Sequence, residues 1–207
     1  MLPTLKRLPS AFLFLMLFTS LLHAQSPGKL TVVDKGAHCI NSQERSLYRL
    51  ITEYRRKRGL PGIPLSESLS VVARAHVRDL DRHYSPGGRC NLHSWSSEGN
   101  WSACCYTDDH RRAACMWDKP RELTSYKGDG YEIAFFSNYN YPTSEGLVAD
   151  ALESWKKSPG HHDLIINHGK WATANWKAIG VGVYNGYVVV WFGEAADEAG
   201  TPGNCEE

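Results

Sequence analysis

Apolar and polar positions along this chain fall into a helical rhythm first and a strand rhythm last. Leu47, Leu50, Ile51 and Tyr54 recur at helical spacing. Asn41 or Ser42 is placed to cap that helix, and with Asn41 as the cap Glu44 stands where a capping box wants it. Arg55 to Arg58 complement the carboxyl end of the helix dipole, and Gly59 with Pro61 ends the run. The basic run therefore reads as a solvated helix end. Ser66 or Ser68 opens a second helix in which Leu69, Val72, Ala73, His76, Val77 and Leu80 form one stripe. His76, on the apolar side, reads as a core histidine with a satisfied hydrogen bond rather than a ligand.

From 85 to 127 the periodicity fails, and Gly, Pro, Ser, Trp and four cysteines take over. A long irregular stretch inside a domain is functional or cross-linked, and the cysteines favour cross-linking. Asp108, Asp109 and His110 within it point in divergent directions and read as a solvated loop. Residues 131–137 predict a strand, 144–155 a third helix with Leu147, Val148, Ala151 and Trp155 on one face, and a short helical turn follows His161. Strands at 176–184 and 187–194 are joined by Asn185-Gly186, the strongest short hairpin signal because a type I′ turn needs positive φ at both central residues. Gly180-Val181-Gly182 is no dinucleotide fingerprint, since no helix follows it. After Ala195 a frayed polar tail is expected. This order predicts a single α+β domain, a three-layer α-β-α sandwich with a central antiparallel sheet.

The start of the chain changes how the cysteines are read. Lys6 and Arg7 precede an apolar run over 11–22, and Leu22-His23-Ala24 fits a small-residue cleavage site, so 1–24 reads as a secretory signal peptide and the protein as secreted or periplasmic. The run is short of the ~20 residues a membrane span needs, and no later segment is long enough. Beyond the signal lie a lead at 25–40, the domain at 41–196 and a tail at 197–207. The mature chain carries 21 basic against 22 acidic residues once the two basic residues of the signal are set aside from the 23 in all, a balance that recruits neither nucleic acid nor an anionic membrane.

Six cysteines in an exported chain imply disulfides. Cys104 and Cys105 are neighbours and are expected to have separate partners, so that Cys90, Cys104, Cys105 and Cys115 staple the irregular loop while Cys39 and Cys205 tie the termini. A zinc knuckle is the rival for the loop, and it lacks paired Cys-x-x-Cys spacing.

Four motifs then stand in one order: Cys90-Asn91-Leu92-His93-Ser94, Gly130-Tyr131-Glu132-Ile133-Ala134, Trp155 with Ser158-Pro159-Gly160-His161, and Ile179-Gly180-Val181-Gly182-Val183 with its hairpin. Together they resemble the CAP superfamily of cysteine-rich secretory, antigen 5 and pathogenesis-related proteins, in its bacterial form. The resemblance implies a cleft built by two histidines and usually two glutamates. His93 and His161 match the histidines and Glu132 one glutamate. The position of the other glutamate, three residues after Trp155, is Ser158; Glu153 is nearest but faces elsewhere on the helix.

The candidate cleft is thus His93, Ser94, Glu132, Ser158 and His161. His93 and His161 are candidate ligands for Zn²⁺ or another divalent metal, with Glu132 as ligand, orienter or base. The expected function is binding of an extracellular ligand or partner, apolar, lipid or protein. A zinc-dependent hydrolase of peptide or cell-wall bonds, using His93, Glu132 and His161, is the alternative, and an interaction module built on Trp95, Trp101 and Trp117 is a third. Ser94 and Ser158 lack a nucleophile elbow and an Asp orienter.

Overall fold

The computed structural model describes residues 38–205, so the signal-peptide reading of 1–24 and most of the lead lie outside the described residues. A short strand β1 (Cys39–Ile40) leads into α1 (Ser42–Lys57), where Asn41 and Glu44 form the expected capping box and Arg55, Arg56 and Lys57 occupy the last turn. Ser66 caps α2 (Glu67–His83) by accepting from Leu69 N. After the Cys-rich loop come β2 (Tyr131–Phe136), α5 (Ser144–Lys157), α6 (Pro159–Ile165), β3 (Ala178–Tyr184) and β4 (Tyr187–Gly193). Asn185 and Gly186 both take positive φ, as the hairpin requires.

β4 is the centre of a three-stranded antiparallel sheet, with β2 and β3 on either side. Its alternating residues serve two cores. Val188, Val190 and Phe192 pack with Leu47, Ile51, Val148 and Trp155 of α1 and α5; Val189 and Trp191 pack with Leu69, Val72 and Val77 of α2. Helices cover both faces, so both residue sets of β4 are apolar, and the three layers are an α+β sandwich.

The glycines of β3 set how closely α2 lies on the sheet. A Cβ on Gly180 would stand 2.1 Å from the carbonyl carbon of Leu69, and one on Gly182 would stand 2.6 Å from that of Ala73. The Gly-x-Gly spacing is thus a seat for a helix backbone.

Three predicted features differ in the structure. The loop at 85–127 contains two short helices, α3 (Ala114–Trp117) and α4 (Lys119–Leu123), too short for hydrophobic periodicity to reveal. α6 starts at Pro159 rather than after His161, because proline suits a first helical turn. The tail is not frayed as far as residue 205: Asp197 accepts from Ser66 Oγ and from Ser68 N and Oγ at 2.6–2.8 Å, and β5 (Gly203–Asn204) pairs in parallel with β1. The cysteines pair Cys39–Cys205, Cys90–Cys105 and Cys104–Cys115, which gives the adjacent cysteines separate partners.

Candidate functional site

Two cross-links hold the segment that carries His93. Asn91 N donates to Tyr106 O, and Trp95 and Cys104 exchange both backbone hydrogen bonds, so 91–106 folds back on itself between its disulfides. The side chain of Asn91 accepts from His93 N at 3.1 Å and fixes the turn. From the other side, the pleat of β2 sends Glu132 and Ala134 toward the layer of α2 and sends Ile133 toward α1 and α5.

Glu132 is buried, and both its carboxylate oxygens are used. Oε1 meets Nδ1 of His76 in a short contact, and Oε2 meets Nδ1 of His93 at 2.9 Å. Burial pushes its pKa up, but the opposing charge of His76 and the hydrogen bonds from both rings outweigh that and leave it below the ordinary value. His76 is fully buried in the apolar stripe of α2, stacked on Trp95 with ring centroids 4.3 Å apart and 6° between planes. It is a core histidine with satisfied hydrogen bonds, as expected, yet its partner is the central carboxylate of the candidate site. The sequence signal was present, a histidine on an apolar helix face, but nothing local says which strand residue it meets.

His161, in the first turn of α6, lies beside His93 with ring centroids 6.2 Å apart. Burial, then the charge of His93, lowers its pKa to about 4, so it is neutral at pH 7. His162 turns away; its Nε2 lies 2.8 Å from Tyr54 Oη. A cleft of ≈ 490 Å³ opens over Glu132, Ser158 and His161, walled by Trp117, Tyr131, Leu164 and Trp171. His110, expected in a solvated loop, also lines it, and its Nδ1 lies 2.9 Å from Tyr106 Oη.

Ser94 does not belong to this cleft. Its Oγ accepts from Tyr106 N at 2.9 Å, and it lines a separate cavity of ≈ 360 Å³ with Asp79, Tyr84 and Trp95. Glu153 pairs with Lys156 on the outside of α5 and does not replace the missing glutamate.

As a metal site the set falls short. Zinc takes three or four protein ligands, whereas among the described residues no three His, Cys, Asp or Glu side chains are grouped to hold a cation. His93 and His161 are the two donors that remain, so no step is assigned to a metal.

The profile of the cysteine-rich secretory protein family matches residues 48–192, which span β2, β3 and nearly all of β4 with the motifs around His93, Glu132 and His161. The chain belongs to the CAP family. Among curated proteins no relative matches this CAP chain. Solved structures similar to it include a cysteine-rich secretory protein from Staphylococcus aureus (18% identity, TM-score 0.46, covering 79% of this chain and 41% of that one). Others are an extracellular protein containing a SCP domain from Bacillus anthracis (18%, 0.49, 74% and 40%) and an outer surface protein from Borrelia burgdorferi (16%, 0.48, 73% and 92%). The CAP chain thus spans about two-fifths of the first two.

Proposed function

We propose that this CAP domain is an extracellular binding protein whose cleft takes a largely apolar ligand bearing a hydrogen-bonding group. The observation that carries this reading is the complete engagement of Glu132 by His76 and His93. A buried carboxylate held by an imidazole on each oxygen is fixed in place and is a weaker general base than a free one. Besides Glu132, the cleft offers the neutral imidazole of His161, the hydroxyl of Ser158, the ring of His110, the phenols of Tyr106 and Tyr131 and the exposed ammonium of Lys170, set among aromatic and aliphatic walls. That combination of apolar lining with a few convergent polar groups is the usual make-up of a small-molecule site.

The zinc-hydrolase reading is weaker on the same ground, since it needs a free carboxylate and a third metal donor. The interaction-module reading is weaker because Trp95 is buried against His76 and Trp191. Trp117 packs on Tyr131 at 5.6 Å and is itself a wall of the cleft.

Gly160 lines the cleft, and a Cβ there would meet no atom within 4 Å. Gly160→Phe is therefore expected to fill the cleft without unfolding the chain. Binding of the uncharged dye Nile red should fall at least tenfold while the thermal midpoint is kept. Unchanged dye binding would sink the assignment of the cleft as the ligand site. Organic extraction of the purified protein, followed by mass spectrometry, would then look for a ligand bound elsewhere.

A further inference from the structure

Both ring nitrogens of His76 face acceptors. Nδ1 meets a carboxylate oxygen of Glu132, and Nε2 lies 3.0 Å from the carbonyl oxygen of Ser94. A carbonyl oxygen accepts and cannot donate, so Nε2 must carry a proton; an ionised Glu132 likewise accepts, so Nδ1 must carry another. Against an ionised Glu132, a neutral imidazole with its one proton cannot satisfy both contacts. From this arrangement we infer that His76 is a positioning residue of the cleft, a buried imidazolium that cancels the charge of Glu132 and fixes the ring of His93.

The surroundings suit that state. His76 is wholly enclosed, so an unpaired charge there would be costly, but the carboxylate is in contact and the face of Trp95 is stacked on the ring. Trp191 closes the β4 side with its ring 6.3 Å away, and the ammonium of Lys119, itself bonded to Glu122, lies 5.4 Å from the centroid of Trp95. His93, on Oε2 of Glu132, is the other titratable group of the network.

Two consequences reach His93, which stands beside His161 of the cleft. With Glu132 ionised and acceptor-only, His93 must donate through Nδ1, which leaves Nε2 as the lone-pair nitrogen when the ring is neutral. The bond to Ser94 O also ties the Cys-rich loop to α2 at the residue next to His93, so loop position and ring orientation are set by one side chain. This deepens the ligand-binding reading and rests on it only for the word cleft, because the protonation state of His76 is measurable without any ligand.

Two measurements test it. In ¹⁵N-histidine-labelled wild type at pH 7, both nitrogens of His76 should show protonated-type shifts, and His93 should show a protonated Nδ1. An unprotonated nitrogen on His76 overturns the proposal. In the second, thermal midpoints at pH 7 are compared for wild type, His76→Gln, Glu132→Gln and the double variant. Loss of the cation strands a buried carboxylate, so adding Glu132→Gln to His76→Gln should restore part of the loss. A purely packing role predicts no rescue, and that result overturns the proposal. Should His76→Gln fail to fold, the wild-type spectrum decides alone. A failed Nile red experiment with intact His76 signatures would separate the ligand reading from this one.

Discussion

At Glu132 the balance of forces can be given a sign. Its carboxyl is held below the ordinary value because the histidines outweigh burial, so its stabilising contribution is in place above the unfolded pKa of ~4.3 and is lost as pH falls through the folded value. Removing one member of a buried pair costs about 3–5 kcal/mol. Urea unfolding of wild type against Glu132→Gln should therefore show a gap of that order at pH 7 that narrows toward pH 3. His161 adds acid sensitivity of its own. Its pKa of about 4 lies below the ordinary 6.5, so the unfolded chain binds the extra proton first and stability falls as pH drops from about 6.5 to about 4. His161→Gln should flatten the stability profile in that window, and an unchanged slope would count against burial as its cause. The seat of α2 gives a third expectation: Gly180→Ala places a methyl against the Leu69 backbone and should cost about 1–3 kcal/mol or more in chemical denaturation.

Among the elements, α1 was the most legible in the sequence and illustrates why. Its capping box is a contact between Asn41 and Glu44, three residues apart, so local spacing was sufficient. Glu44 also takes two bonds from the guanidinium of Arg74 on α2, at 3.0 and 2.8 Å, which no local pattern announces. Asn41→Ala should cost about 1 kcal/mol, while Glu44→Ala, which also strands Arg74, should cost clearly more; equal losses by thermal melting would show that the inter-helix pair contributes nothing. The hairpin was legible for the same reason as the cap, since Asn185-Gly186 sets the turn by its own φ preferences. α3 and α4 were not, because helices of four and five residues carry too few apolar positions to show a period and are held by Cys104–Cys115 and by packing of Met116 and Leu123.

Over the whole molecule, the Cys39–Cys205 bond closes a loop of 166 residues and works with the β1–β5 pair to fasten both ends to the body. By chain entropy such a closure stabilises by roughly 5 kcal/mol at most. Cys39→Ser with Cys205→Ser should lower the denaturant midpoint and raise proteolysis of the tail, while Nile red binding persists in the folded protein because the cleft is built from other elements. The three disulfides fit an oxidising compartment, and no helix among the described residues is long and apolar enough to cross a membrane.

What the sequence by itself determined is whatever neighbouring residues settle between them: the helix caps, the Asn185-Gly186 turn, the separate partners of Cys104 and Cys105, and the ordered motifs that mark a CAP chain. What only the tertiary structure decided is the company each polar residue keeps. Ser94 left the cleft and His110 entered it once the disulfides folded the loop back. Glu132 and His76 are 56 residues apart, and they meet because Gly180 and Gly182 let α2 lie close on the sheet while the pleat of β2 aims the carboxylate at that layer. Spacing along a chain is local information, whereas a buried charge finds its partner through the packing of layers.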